Sequence, residues 1–111
     1  MMNTPDTFDT VIGGAGPAGL AAAYAAARNG ERVLLLEKQS APGRKLLASG
    51  GGKCNFSNTL PEMKFMDSFG RNGRFMRDAL RIGGRDAVLA HLQSLGIAWR
   101  IESGLYYFPE F

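Results

Sequence analysis

The sequence is poor in the residues that build disulfide frameworks and metal sites. Its 111 residues include one cysteine, Cys54, and one histidine, His91. A single cysteine cannot form an internal disulfide, and two such ligands are too few for a metal site, so we expect neither. Cys54 also lacks a partner at C-x-x-C spacing, which argues against a redox disulfide within the chain. This cysteine usage fits a reducing compartment, and we expect the cytoplasm.

Charge of one sign and long uninterrupted apolar runs are also scarce. Thirteen basic residues stand against ten acidic ones, and this net charge of +3 gives no compositional argument for a nucleic-acid partner. The apolar run 11–27 is interrupted by four glycines and Pro17. Asp6 and Asp9 precede it, where a signal peptide has basic residues. We therefore expect no nucleic-acid partner, no signal peptide, no membrane-spanning helix and no membrane partner.

Glycine, in contrast, is abundant, with fifteen residues in the chain. This is about twice its usual share, although the 45% hydrophobic and 21% charged residues are ordinary for a globular domain. Nine of the glycines lie in two short stretches, 13–30 and 43–52. Local enrichment of this kind indicates that backbone groups, and not side chains, do the work in these stretches.

The apolar pattern of the first third predicts an α/β fold. Residues 8–12 have the pattern of a short buried strand, and the alanine-rich residues 17–29 that of a helix ended by Gly30. Residues 32–37 form an apolar run typical of a parallel strand covered on both faces. Together they predict a Rossmann-like βαβ unit over residues 7–37 with a parallel sheet.

Residues 62–111 predict a helical segment followed by short strands. Apolar spacing indicates helices over 73–82 and 85–95, and short strands over 97–101 and 105–108 around a turn at 102–104. The inward faces of the two helices are predicted to carry Phe75, Met76, Ala79, Leu80, Val88, Leu89, Leu92 and Leu95.

The sequence GAGPAG at 14–19 matches the dinucleotide-binding pattern G-x-G-x-x-G in its required context, between a strand and a helix. Gly14 permits the tight turn, Gly16 lets the backbone approach a pyrophosphate, and Gly19 lets helix and strand pack closely. Glu37, at the end of the next strand, is placed to accept hydrogen bonds from the ribose hydroxyls. Its negative charge disfavours the 2′-phosphate of NADP at this site.

A second glycine-rich stretch, GRKLLASGGGKCNFSN at 43–58, is predicted to be irregular. It is not a P-loop, because Leu47 stands where the first glycine is required and Cys54 replaces Ser or Thr. The Asn55-Phe56-Ser57 sequon has no meaning without a secretory signal. What remains is a run of backbone N–H groups over 49–55, preceded by Arg44 and Lys45.

Such a run forms an anion-binding concavity, which adjacent cations strengthen. Because it follows the ribose-binding Glu37, we expect it to cover the pyrophosphate and ribityl chain of the same cofactor. FAD has a ribityl chain and NAD does not, so the stretch favours FAD.

The segment PGRKLLASGGGKCNFSN resembles the signature of the BaiN-type NAD(P)/FAD-dependent oxidoreductases, a family of bacterial flavoproteins. Lys53 and Ser57 replace the usual arginine and threonine, and the late GIAWRIESGLYYFP is also similar. Members of that family are several times longer. The resemblance therefore implies that residues 1–111 are the N-terminal FAD-binding portion of a larger flavoprotein, without its substrate domain and its C-terminal segment.

The resemblance also implies an activity: hydride passes between NAD(P)H, FAD and a small organic substrate. No residue of the chain stands out as catalytic. The groups that would line FAD are Gly14, Gly16, Ala18, Gly19, Glu37, Lys38, Arg44, Lys45, Ser49, Gly50 and Asn55.

Two other interpretations remain open. A NAD-dependent dehydrogenase would use the same fingerprint but leaves the basic glycine-rich stretch unexplained. A non-enzymatic nucleotide-binding module, or a truncated gene product, is the third possibility. Flavin absorbance of the purified protein would separate a flavin-dependent oxidoreductase from a NAD-dependent dehydrogenase.

Overall fold

The computed structural model describes residues 7–110 and contains two compact units, one ending at Gly52 and the other beginning at Lys53. The first unit contains β1 (Thr10–Gly13), α1 (Pro17–Arg28), β2 (Val33–Leu36), α2 (Arg44–Ala48) and a first 3₁₀ helix (Ser49–Gly52). The second contains β3 (Ser57–Asn58), α3 (Glu62–Asp67), a second 3₁₀ helix (Gly70–Met76), α4 (Arg77–Gly83), α5 (Arg85–Ser94), β4 (Trp99–Glu102) and β5 (Tyr106–Pro109).

The first unit confirms the predicted βαβ arrangement. Strands β1 and β2 pair in parallel, with Thr10 opposite Val33 and Gly13 opposite Leu36. Helix α1 connects them and packs against both. Its alanine-rich sequence favours a helix, Pro17 occupies the first turn where its missing N–H costs nothing, and Gly30 follows its end at φ +83°.

Strand β2 is less covered than its apolar sequence predicted. Val33, Leu34 and Leu35 are partly buried, but Leu36 is 52% exposed, and Val11 on β1 is 59% exposed. The described residues therefore do not cover both faces of β2, although its apolar pattern is typical of a strand that is buried on both faces. The physical reason is that this unit pairs two strands and packs α1 against them, which covers one face of the sheet.

The glycine-rich stretch 43–58 is more regular than predicted. Gly43 adopts a left-handed conformation at φ +70°, and the five-residue helix α2 starts directly after it. The first 3₁₀ helix then carries left-handed glycines, and β3 takes up the end of the stretch. The RKLLA segment is a good helix former, and this local propensity prevails over the flexibility of the surrounding glycines.

The second unit contains a three-stranded antiparallel sheet in the order β3-β5-β4. The predicted hairpin is confirmed: Glu102 pairs with Tyr106, and the N–H of Leu105 donates to the carbonyl of Glu102 at 3.1 Å. Ser103 and Gly104 both have positive φ in the turn, as tight hairpins require. Strand β3 and helix α3 were not predicted from the sequence.

The helical part of this unit corrects the predicted helix over 73–82. Residues 70–76 form the second 3₁₀ helix, and the α-helix begins only at Arg77. Phe75, expected on the inward face, is 94% exposed, and Ala79 is exposed too. Helix α5 was predicted with an error of one residue, although Val88 and Leu95 are more than a third exposed.

The cause lies at the contact between α3 and the second 3₁₀ helix. Gly73 is buried there, and a Cβ at this position would lie 1.7 Å from the carbonyl oxygen of Met66. Met66 itself is 1% exposed. Glycine therefore allows the two backbones to come into contact, and the second 3₁₀ helix turns Gly73, instead of Phe75, toward α3.

Among the helices of residues 7–110, none has the length and apolar sequence needed to cross a membrane.

Candidate functional site

The turn between β1 and α1 has the close packing that the fingerprint predicts. Gly14 adopts φ +100°, and its N–H donates to the carbonyl of Leu36 at 2.7 Å. A Cβ on Gly19 would lie 1.8 Å from the carbonyl oxygen of Gly14, so only glycine lets α1 approach the turn this closely. Two of the three glycines thus have a structural reason within the chain itself.

Gly16 is different, because the chain does not require it. It caps α1 in an extended conformation at φ −77°, and a Cβ there would meet no atom within 4 Å. Within the described residues no side chain caps this helix, so its first N–H groups, including that of Ala18, have neither a capping side chain nor an intrahelical acceptor. The absent side chain leaves room for a ligand to reach these groups, where the helix dipole favours an anion.

The carboxylate of Glu37 is tied to the same turn. Its Oε2 accepts a hydrogen bond from the N–H of Ala15, and its Oε1 accepts one from the N–H of Gln39, both at 2.8 Å. These two bonds, that of Gln39 first, lower the pKa of Glu37 below its usual value, so the group is anionic at neutral pH. Glu37 therefore joins the end of β2 to the phosphate turn. The predicted contacts to ribose hydroxyls remain compatible with the second lone pair of each oxygen.

The basic start of the second glycine-rich stretch lies beside this turn. The N–H of Gly43 donates to the carbonyl of Ala15 at 2.8 Å, which brings the start of α2 to the fingerprint. Arg44 donates through Nη1 to the side-chain oxygen of Gln39 at 3.0 Å. Lys38 and Lys45 are exposed. The structure therefore gathers the turn, the acidic end of β2 and the start of α2 within one unit.

The three glycines after Ser49 form a left-handed run. Gly50, Gly51 and Gly52 have φ of +58°, +65° and +87°, a conformation that L side chains rarely adopt. The hydroxyl of Ser49 donates to the carbonyl of Leu46 at 2.8 Å and closes the preceding helix. Successive N–H groups in such a run point in similar directions and can bind an anion. This supports the predicted concavity at its glycine-rich part.

The remaining part of the stretch belongs to the second unit. Cys54 has φ +60°, Asn55 is exposed, and the N–H of Phe56 donates to the carbonyl of Tyr107 at 3.1 Å. Lys53 forms an ion pair with Glu102 at 3.4 Å, in which its side chain is 57% exposed. The predicted site residues therefore divide: Asn55 lies in the second unit, and the other ten lie in the first.

Glu102 also carries a shorter ion pair to Arg100, at 2.9 Å between Nη2 and Oε1. The Arg100 hydrogen bond is the first cause of the lowered pKa of Glu102, and Lys53 adds to it. Among residues 7–110, no group of three or more His, Cys, Asp or Glu side chains could hold a metal ion.

Sequence reasoning missed two features of the second unit. One is the buried Gly73, whose role cannot be recognised without knowing that Met66 lies opposite. The other is a series of exposed arginines in the second 3₁₀ helix and α4. Their spacing of three or four residues could have been recognised in the sequence, but the modest net charge of +3 gave no reason to search for a basic surface.

Comparison with known proteins gives the family. Residues 8–111 match the model of the HI0933-like protein Rossmann domain. The chain is 39% identical over 94 residues, 85% of its length, to a ribosomal RNA dihydrouridine synthase of Escherichia coli, covering 23% of that protein. It is 34% identical over 99 residues, 87% of its length, to a 3-dehydro-bile acid delta(4,6)-reductase of Clostridium scindens, covering 24% of that protein.

The chain is also 45% identical over 56 residues, half of its length, to a thioredoxin reductase of Ureaplasma parvum, covering 18% of that protein. The chain spans about a quarter of the length of the two longer-matching relatives. With its parallel βαβ unit and its glycine fingerprint, the chain belongs to the HI0933-like Rossmann domain family, a family of FAD- and NAD(P)-binding oxidoreductases.

Proposed function

We propose that this chain is the FAD-binding part of an oxidoreductase of the BaiN type, which passes hydride from NAD(P)H through flavin to an organic substrate. The observation that carries the proposal is the grouping of three features in the first unit. These are the open N-terminus of α1 at Gly16, the anionic Glu37, and the left-handed run 50–52. A dehydrogenase that binds NAD alone would need the first two features but not the third.

Each feature has a part in holding the cofactor. The N–H groups at the start of α1 bind the pyrophosphate, and Glu37 accepts hydrogen bonds from the adenosine ribose. The left-handed run offers further N–H groups to the central part of the cofactor, with Arg44 and Lys45 adding positive charge. Flavin, when bound, supplies the hydride chemistry, and the protein orients it. Among residues 7–110 no side chain stands out as a catalytic acid or base.

The names of the relatives narrow the substrate class. A dihydrouridine synthase and a delta(4,6)-reductase both, by name, concern addition of hydrogen to a carbon–carbon double bond. We propose the same reaction class for the protein that contains this chain. The substrate classes are then a base within RNA and a polycyclic small molecule. A cytoplasmic location, where NAD(P)H is supplied, stays part of this proposal.

Cofactor titration tests the proposal directly. FAD and NAD⁺ are added separately to the purified protein, and flavin fluorescence and hydrogen exchange are followed. We expect FAD to bind and to slow exchange at residues 49–52, because the ordered N–H groups become bonded to it. NAD⁺ should leave these residues unchanged. Equal protection by both cofactors, or none by FAD, would contradict the FAD assignment and favour the dehydrogenase or the non-enzymatic module.

A further inference from the structure

The positive charge of this protein is concentrated in one helical segment. Residues 70–83 contain four arginines and one aspartate, an excess of three. The other 97 residues carry nine basic and nine acidic side chains, so the entire net charge of +3 resides in this segment. Net charge alone gave no reason to expect a polyanionic partner, but its distribution does.

The four arginines, which we call the arginine row, are Arg71, Arg74, Arg77 and Arg81. The first two lie in the second 3₁₀ helix and the last two in α4. Residues three apart in a 3₁₀ helix are eclipsed, and residues four apart in an α-helix are neighbours on one face. The spacing therefore places the four guanidinium groups in sequence along one side of the segment, at steps of about 6 Å.

The charges of this row are available to a partner. All four arginines are exposed, and among residues 7–110 no carboxylate lies within ion-pair distance of Arg71, Arg74 or Arg77. Arg81 has a long contact of 3.6 Å to Asp78, in which both side chains are more than 70% exposed. Such a pair is weak and exchanges readily. The neighbouring Arg85 is different, since it donates to the carbonyls of Asn58 and Leu60 and holds the fold.

The row has a rigid support. On the side of the segment that faces α3, Gly73 is buried with its backbone against Met66, and a Cβ there would overlap the Met66 carbonyl. This contact fixes the orientation of the second 3₁₀ helix. A preorganised row loses less conformational entropy on binding than arginines on a flexible loop.

The shape of the row selects an extended ligand. Four cations spread over about 18 Å cannot converge on one small anion, but they match a chain of repeated charges. All four are arginines, whose planar fork binds phosphate in a bidentate manner. Phe75 follows Arg74 and is 94% exposed. In a 3₁₀ helix it lies about 120° around the axis from the row, on the adjoining face, where an exposed ring can stack on a base of a strand whose phosphates contact the arginines.

From these observations we propose that the arginine row and Phe75 form a binding surface for single-stranded RNA, with the arginines on phosphates and Phe75 stacked on a base. The choice of RNA over DNA rests on the proposed function, in which a base in RNA is one of the two substrate classes. Binding itself requires no flavin chemistry. An anionic membrane, which would also attract arginines, is the rival that the experiment must separate.

The experiment measures fluorescence anisotropy of a labelled oligouridylate of about 12 nucleotides with the purified protein. We expect the double variant R74Q/R77Q to bind about tenfold more weakly at low salt. Its slope of log affinity against log salt should be shallower by about 1.4, because each lost phosphate contact removes about 0.7. The matched control R28Q/R32Q removes the same charge from exposed positions of the first unit and should stay within about twofold of the wild type.

Phe75→Ala separates RNA from a bare polyanion. We expect it to weaken oligouridylate binding about tenfold while leaving binding of inorganic polyphosphate unchanged, because only the RNA has bases to stack. The proposal is overturned if both double variants lose affinity equally, or if Phe75→Ala binds oligouridylate as tightly as the wild type. It is also overturned if phosphatidylserine vesicles, and not oligouridylate, require the row.

Parallel FAD titrations distinguish this inference from the proposed function. If the wild type binds FAD but not oligouridylate, the arginine row is no RNA surface and the flavin assignment stands. If it binds oligouridylate through the row but not FAD, the arginine row is an RNA-binding surface and the flavin assignment is wrong. Circular dichroism of every variant ensures that a loss of binding reflects the substituted side chains and not unfolding.

Discussion

In both units a glycine allows two backbone segments to come into contact, but only in the first unit is this glycine part of a recognisable sequence motif. In the first unit Gly19 rests against the carbonyl of Gly14, and in the second Gly73 rests against that of Met66. Gly19 is part of a motif whose spacing has a physical meaning. Gly73 lies in the unremarkable sequence GRNGRFM, and its partner is recognised only in the fold. Two backbone contacts of similar closeness can therefore differ greatly in how easily they are recognised from the sequence.

The largest effect is expected for Gly19→Ala. The new Cβ would lie 1.8 Å from a carbonyl oxygen in a turn that is held by bonds from Gly14 to Leu36 and from Ala15 to Glu37, so the clash cannot relax cheaply. We expect a loss of about 3 kcal/mol or more in unfolding free energy, measured by denaturant titration, and loss of FAD binding.

Gly16→Ala is the matched control for this prediction. Because a Cβ there meets no atom within 4 Å, stability should change by less than about 1 kcal/mol, the scale of a helix-cap substitution. FAD affinity should nevertheless fall, since the added methyl occupies the approach to the helix N-terminus. An equal loss of stability in both variants would contradict the view that Gly19 is required for packing and Gly16 only for ligand binding.

Gly73→Ala tests the second unit and should have the next largest effect. Its Cβ would lie 1.7 Å from the carbonyl oxygen of Met66, and we expect a loss of about 2 kcal/mol, since this contact lies outside the hydrogen-bonded turn that holds Gly14. Gly83→Ala is the control: it lies in α4 with open space around it and should stabilise by up to about 1 kcal/mol. Thermal melting of both variants checks this, and a neutral Gly73→Ala would show that the close contact is not essential.

Glu37→Gln tests whether FAD affinity depends on a carboxylate of the first unit and not on one of the second. Removal of the charge should weaken FAD binding about tenfold, as a charge-assisted hydrogen bond becomes a neutral one. Glu110→Gln, an exposed carboxylate of the second unit, should leave FAD affinity unchanged. Isothermal titration at neutral pH measures both, and unchanged affinity of Glu37→Gln would exclude the ribose role.

The same variant has a pH signature. The N–H groups of Gln39 and Ala15 lower the pKa of Glu37 in the folded state below its usual value of 4.5. The stability it contributes is therefore fully present above that value and is lost as pH falls through the lowered pKa. We expect the difference in melting temperature between wild type and Glu37→Gln to be constant near neutrality and to shrink below about pH 4.5.

The smallest effect is expected for Lys53→Gln. The pair with Glu102 is long and its lysine is 57% exposed, while Arg100 stays on the same carboxylate. The melting temperature should change by less than about 3 °C. Arg100→Gln should cost more, because Arg100 also donates to the carbonyl of Pro109 at 3.0 Å. A reversed order would mean that Lys53, and not Arg100, holds the hairpin.

Much of the first unit was predictable because its constraints are local. The order strand, helix, strand follows from apolar periodicity, and the turn follows from glycines at fixed spacing. The helix within 43–58 was missed because its glycines were given more weight than the helix-forming RKLLA between them. The hairpin of the second unit was predictable for the same local reason, namely apolar strands on either side of a turn around Gly104.

The sequence by itself determined the βαβ unit, the fingerprint and the acidic residue that follows it, since each depends on residues close in the chain. Only the tertiary structure decided that Glu37 bonds to the turn, that Gly43 joins Ala15, and that Phe75 and the arginine row face solvent. These features depend on contacts between residues distant in sequence, or on which side of a helix a neighbour covers. Periodicity gives the pattern of a helix, but the neighbour that packs against it decides which face is buried.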